Sequence, residues 1–296
     1  MTETPRFHAV RCLGATGFHT MRYAQWGDPD NPCVVICVHG LNRVGRDFDR
    51  LARALLPRYR VVCPDLPGRG TSDWLHDPQG YGIEPTAADL VTLIARLDVE
   101  TLAWVGTSFG GLIGIALAGL AQSPITRLVI NDIGPHLEWT GLAQIGAHLG
   151  RDPRFASIDD AVAYLRSVSA GAALRDDAEW REMTMSVLRR DDDGYVFHYD
   201  PAIADVLRAM GRGDFRAAEQ QLWQRYDAIR CPTLLLHGEK SDILSTETVA
   251  AMQRRGPHPQ VVTVPGVGHA PMFFDPAQIA AVRDFLFSEA GCGGMT

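Results

Sequence analysis

A chain of 296 residues with Lys+Arg 28 against Asp+Glu 35, a formal net charge of −7, presents no basic footprint for nucleic acid. Its 46% hydrophobic and 21% charged residues suit a globular protein of one large α/β domain or two average ones, and no apolar run reaches membrane-spanning length. The segment Met1 to Arg6 lacks the basic-then-apolar pattern of a signal peptide, so the expected setting is cytoplasmic, with no membrane partner.

Phe7 to Leu13 and Phe18 to Trp26 alternate around a Gly-containing turn and predict a hairpin. Val34 to Val38 is a continuous apolar run, as in a strand covered on both faces. Asp47 to Leu56 has helical spacing through Phe48, Leu51, Ala52 and Leu55, and Tyr59 to Cys63 is the next strand. Thr86 to Leu97 is helical, with Leu90, Leu93, Ile94 and Leu97 on one stripe. The run Thr101 to Val105 leads into Gly106-Thr107-Ser108-Phe109-Gly110 and then the apolar helical segment Gly111 to Ala118. Arg127 to Asn131 is a further strand. After Gly134-Pro135 helical patterns dominate as far as Tyr226. They include a capping sequence at Ser157 to Asp160, a shared face of Trp180, Met183, Val187 and Leu188, and a cap residue before a first-turn proline at Asp200-Pro201. One strand-like patch, Tyr195 to Tyr199, interrupts them. Thr233 to His237 and Val261 to Val264 resume the strands, Pro276 to Ser288 is the last helix, and Gly291 to Thr296 reads as a frayed tail.

Strands alternating with helices imply α/β architecture with a parallel sheet. The stretch after Pro135 is too long for a loop and reads as an inserted helical subdomain. The expected domains are therefore a core of residues 1–135 and 227–296 and a helical insertion of residues 136–226. The six cysteines (Cys12, Cys33, Cys37, Cys63, Cys231 and Cys292) are scattered, and no Cys/His pairs stand at metal-ligand spacing. Buried free thiols, with no metal and no cofactor, are the expectation.

A Gly-x-Ser-x-Gly at a strand-to-helix joint is a nucleophile elbow, which holds the serine hydroxyl clear of the sheet above the positive end of the helix. An activated serine needs a base, and the base needs an orienting acid. His269, in the Gly266 to Pro271 loop after the last strand, is the candidate base. Asp242, in Gly238-Glu239-Lys240-Ser241-Asp242 after the preceding strand, is the candidate acid. The order Ser108, Asp242, His269 is that of the elbow-bearing acyl hydrolases. All three lie past the carboxyl ends of parallel strands, where open α/β sheets place their ligands.

With His39-Gly40-Leu41 after one strand and Asp65-Leu66-Pro67-Gly68-Arg69-Gly70-Thr71-Ser72 after the next, these motifs resemble the α/β-hydrolase superfamily across almost the whole chain. The resemblance implies a mostly parallel central sheet with flanking helices, and that the insertion of residues 136–226 is a cap over the active site. It also implies an oxyanion hole made by the backbone N–H groups of Leu41 and Phe109. Some members carry the acid one strand earlier, so Asp132 is the alternative to Asp242. His39 is read as a brace for the oxyanion loop, His237 as a satisfied buried histidine, and Asp65 and Asp73 as loop-bracing residues. Arg43 is a candidate contact for an anionic substrate group or, more plainly, a solvated arginine. Trp139, Trp180, Met183 and Met185 could line an acyl pocket or simply pack the cap.

The expected function is a cofactor-free serine hydrolase acting on a small-molecule carboxylic ester or lactone. The same triad would also serve a carbon–carbon bond hydrolase of a dienoate, although Leu41-Asn42-Arg43-Val44 departs from the glycine-rich stretch usual there. A small-molecule receptor on a hydrolase scaffold is the reading from another class. An intact triad argues against it, since binding alone needs no base or oriented acid.

Overall fold

The period-two placement of apolar side chains along the strands sorts the molecule into layers. A computed structural model describes residues 4–210 and 215–288. The first half runs β1 (Arg6–Gly14), β2 (Gly17–Trp26), β3 (Cys33–Val38), α1 (Asp49–Leu55), β4 (Arg60–Asp65), α2 (Ile83–Arg96), β5 (Thr101–Thr107), α3 (Phe109–Ala118) and β6 (Ile125–Asn131). The second half runs α4 (Trp139–His148), α5 (Ile158–Val168), α6 (Asp177–Ser186), β7 (Leu188–Asp191), β8 (Gly194–Phe197), α7 (Ala204–Met210), α8 (Phe215–Ala228), β9 (Thr233–Gly238), α9 (Thr246–Gln253), β10 (Gln260–Val264) and α10 (Pro276–Phe287).

One sheet of eight strands has the order β1-β2-β4-β3-β5-β6-β9-β10. The β1–β2 and β2–β4 pairs are antiparallel, and every pair from β4 to β10 is parallel. Val34, Ile36 and Val38 of β3 share a buried cluster with Leu102 and Trp104 of β5, Leu90 and Leu93 of α2, and Ile113 of α3. Their strand neighbours Val35, Cys37, Ala103 and Val105 point the other way, onto Leu51 and Leu55 of α1 and Val282 and Leu286 of α10. Both faces are covered, which is why these strands are apolar throughout. Helix α2 starts earlier than its apolar stripe suggests, because Pro85 falls in a first turn whose N–H groups have no intrahelical acceptor.

Between β6 and β9 the chain forms α4 to α8 and a two-stranded hairpin, β7–β8. Here the structure departs from the helical reading. Helix α6 stops at Ser186 and Leu188 opens a strand, so Leu188 does not share the helix face of Trp180 and Met183. Asp192 and Asp193 form the two-residue turn, with Asp191 paired to Gly194, and the helical periodicity masked this turn. Phe155, Leu165, Trp180, Met183, Phe197 and Ile203 build a separate apolar cluster that reaches Tyr81 and Phe274 of the sheet-bearing part. Backbone bonds from Gly70 N–H to His198 O and from Asp200 N–H to Gly68 O, each 2.8 Å, join the inserted segment to the loop after β4. Trp139 and Met185 are exposed. Cys12, Cys37, Cys63 and Cys231 are free thiols. Cys292, with the rest of the Gly291 to Thr296 tail, and residues 211–214 of the expected cap lie outside the described residues. Among the described residues no helix is long and apolar enough to cross a membrane.

Candidate active site

Ser108 sits between the end of β5 and the start of α3 with φ 52° and ψ −115°. That is a backbone conformation an L-residue adopts only when its surroundings force it. The force comes from packing. A Cβ on Gly106 would lie 2.3 Å from Gly110 O, and a Cβ on Gly110 would lie 2.1 Å from Val38 O. Only glycine at both positions lets helix and strand approach this closely. The Trp104 indole N–H donates to Gly110 O at 3.0 Å, and Ser108 N–H donates to Asn131 O at 3.0 Å, fixing the elbow to its own strand and to the next one.

His269, in the loop after β10, has Nε2 2.8 Å from Ser108 Oγ and Nδ1 2.9 Å from Asp132 Oδ2. Asp132 follows directly on β6 and is fully buried. Its other oxygen, Oδ1, accepts the Gly238 N–H at 2.7 Å. A carboxylate only accepts, so Nδ1 of His269 carries the proton and Nε2 is left to accept from the serine hydroxyl.

A second set of contacts orients the loop after β3. Gly40 O accepts from His39 Nδ1–H at 2.7 Å, and His39 Nε2 accepts the Leu66 N–H at 3.0 Å. Burial holds this imidazole neutral, its pKa drawn down to about 3. The Gly40 carbonyl and the Leu41 N–H belong to one planar trans peptide and point in opposite directions. Holding the carbonyl on His39 therefore turns the Leu41 N–H away from His39. The loop borders the nucleophile, since a Cβ on Gly40 would lie 3.6 Å from Ser108 Cβ. The Phe109 N–H opens α3 and has no intrahelical acceptor. Arg69, fully buried, donates from Nε to Leu41 O at 2.7 Å and lies with its guanidinium 5.6 Å from the centroid of the Phe109 ring. Burial lowers its pKa to about 9, which still leaves it charged at neutral pH.

The sequence profile of the alpha/beta hydrolase family matches residues 35–282. The chain belongs to the α/β hydrolase family. This α/β hydrolase is 47% identical over 290 residues to the 3-hydroxybutyrate-oligomer hydrolase of Cupriavidus necator, covering 97% of this chain and 99% of that protein. It is 30% identical over 231 residues to an esterase of Mycobacterium tuberculosis, covering 76% of this chain and 72% of the relative. A solved α/β hydrolase from Novosphingobium aromaticivorans superposes with a TM-score of 0.85 at 33% identity, covering 97% of this chain and 99% of that one.

For this α/β hydrolase the structure corrects the favoured acid. The residue bonded to His269 is Asp132, whereas no hydrogen bond joins Asp242 to His269 among the described residues. Asp132 stands one residue past β6, next to the elbow strand. Asp242 stands four residues past the end of β9, in a turn whose backbone packs against Gly141 of α4. Ser108, Asp132 and His269 keep the chain order Ser, Asp, His, so order could not separate the two carboxylates. Arg43 is partly buried and ion-paired: Nε and Nη2 each donate to Asp47 at 2.7 Å. His237 is buried and bonded to Leu244 O at 3.1 Å. Asp65 accepts from the N–H groups of Gly45 and Thr71, and Asp73 from that of Thr20.

Asn131 escaped the sequence reading. Fully buried, its Nδ2 donates to Thr107 Oγ1 at 2.9 Å and to Pro271 O at 2.8 Å, lacing the elbow to the His269 loop. The only available signal was a polar side chain closing an apolar strand, immediately before an aspartate.

Proposed function

We propose that this hydrolase is a serine esterase whose acyl-enzyme forms on Ser108, and that its substrates are short oligoesters of 3-hydroxybutanoate type. The observation that carries the mechanism is the hydrogen-bonded line Asp132, His269, Ser108. His269 takes the Ser108 proton through Nε2 as Oγ attacks the ester carbonyl, and Asp132 stabilises the imidazolium through Nδ1. The N–H groups of Leu41 and Phe109 bind the oxyanion, each donor of this kind contributing about 10²–10³ in turnover. His269 then protonates the leaving alkoxide, and water, deprotonated by the same nitrogen, releases the acid from Ser108. No metal or cofactor takes part in these steps. The segment between β6 and β9 serves as the cap that selects the substrate.

The substrate assignment rests on 47% identity along nearly the whole of both chains to a 3-hydroxybutyrate-oligomer hydrolase. An oligomer of this kind is a carboxylic ester, the class expected from the triad alone. The test is release of monomer from 3-hydroxybutyrate dimer and trimer, run beside p-nitrophenyl acetate. Ser108→Ala should lose about 10⁵–10⁶ in kcat on both substrates with its melting temperature preserved. Undiminished turnover in that variant would exclude the acyl-enzyme. Acetate ester cleavage without oligomer cleavage would retain the esterase and discard the oligomer.

A further inference from the structure

Apart from the Ser108 site, a cluster of chemically active side chains among the described residues is built into the fold at the β1–β2 edge of the sheet. The hairpin register places Cys12 directly opposite His19, and directly opposed residues project from the same face of a sheet. Helix α2 covers that face and contributes Asp89. The Cys12 Sγ, a His19 ring nitrogen and an Asp89 carboxylate oxygen all lie within 4.8 Å of one another. All three residues are buried, at 0%, 8% and 3% exposure. His19 Nε2 is 2.9 Å from Asp89 Oδ2, and the Cys12 thiol points at the Asp89 main-chain oxygen at 3.9 Å.

We infer that Cys12, His19 and Asp89 form a binding site for a thiophilic divalent transition-metal ion of the zinc type. A thiolate, an imidazole and a carboxylate are a donor set that zinc accepts, and three protein ligands leave a fourth tetrahedral position. Bonds of about 2.0–2.3 Å in a tetrahedron hold ligand atoms roughly 3.3–3.6 Å apart. The cluster therefore needs only side-chain adjustments of about 1 Å or less to enclose an ion. A cavity of about 530 Å³, lined by His19 and Asp89 together with Phe18, Trp74 and His76, lies against it and supplies an entry path and a water for the fourth position.

On binding, the Cys12 Sγ–H proton is released to solvent. The proton on His19 Nε2 moves to Nδ1, freeing Nε2 as ligand. Hard cations such as Mg²⁺ or Ca²⁺ take oxygen ligands and do not favour thiolate, so they would not displace the Cys12 proton. The bound ion would tie the β1–β2 hairpin to α2. Spacing rules miss such a site because Cys12 and His19 meet across a hairpin turn, while Asp89 arrives from a helix far along the chain.

The test uses the full chain, stripped with a chelator and titrated with Co²⁺. One equivalent should produce a thiolate-to-cobalt charge-transfer band with tetrahedral d–d bands, and Zn²⁺ should displace it. Zn²⁺ should also raise the melting temperature of the wild type. Cys12→Ser should abolish the charge-transfer band, and Asp89→Asn should weaken Co²⁺ binding at least about tenfold. Far-ultraviolet circular dichroism checks that both variants fold, and His19→Gln replaces either one that does not. Absence of the band in the wild type, or its survival in Cys12→Ser, overturns the site.

Discussion

Asp132 and Asp242 carry the same side chain, follow consecutive parallel strands of the sheet and occur in an order that suits the triad equally well. What separates them is one hydrogen bond, 2.9 Å from Asp132 Oδ2 to His269 Nδ1. Asp132→Asn should keep the fold yet lose about 10⁴ in kcat, because the amide no longer holds the imidazole in the tautomer that accepts from serine. Asp242→Asn should stay within a few-fold of the wild type. Steady-state kinetics on one ester settles the pair, and the reverse ranking would return the acid to Asp242. Ser108 was legible because the elbow confines its strain to five residues, with glycines at both ends. His269 was legible because a histidine in a glycine-flanked loop at the sheet edge has few other uses. Asn131 was not, since its value lies in reaching Thr107 and Pro271, two segments whose proximity only the assembled sheet creates.

The loop after β3 shows the same logic over a whole element. His39 accepts from Leu66 and donates to Gly40, so it is held neutral by its burial and by its role as acceptor. In the unfolded chain the same ring protonates below its ordinary value of 6.5, whereas in the fold it resists protonation down to about 3. The unfolded state therefore binds more protons across that window. Stability from this source is complete above about pH 6.5 and falls as the pH drops towards 3, by about 1.4 kcal/mol per pH unit. His39→Asn, which can still donate and accept but does not titrate, should show a shallower loss of stability between about pH 6.5 and pH 5. Urea denaturation of both proteins across that range checks it. Parallel curves would mean that His39 does not titrate differently in the two states. The strands and helices of the sheet were legible because their apolar periods differ, whereas β7 hid inside a helical pattern that ends where Asp192-Asp193 turns the chain.

Across the whole molecule, polar contacts join the apolar cluster in holding the inserted segment to the sheet-bearing part. Arg50 of α1 donates to Glu182 of α6 at 2.6 Å and to Phe274 O at 3.3 Å, and its guanidinium lies 4.3 Å from the centroid of the Phe274 ring. The same guanidinium reaches the buried Glu179 at 3.4 Å, where Arg175 also binds. Arg50→Ala should lower stability by about 1–2 kcal/mol, a modest figure because Arg50 and Glu182 are partly exposed and screened by solvent. Thermal melts at low and high salt provide the check. A variant as stable as the wild type at both would show that the apolar cluster around Trp180 and Phe197 holds the segment by itself.

The sequence by itself determined the sheet, the elbow and the histidine, because each depends on residues close together in the chain: a period of two, a period near four, a glycine two places away. It also marked the stretch between β6 and β9 as rich in helices, because the apolar period there stays near four. Only the tertiary structure decided which aspartate serves His269, how Asn131 and Arg69 brace the site, and that Cys12, His19 and Asp89 converge. Those outcomes depend on distances between segments remote in sequence, and such distances are fixed only when the sheet order, the hairpin register and the packing of α2 are in place.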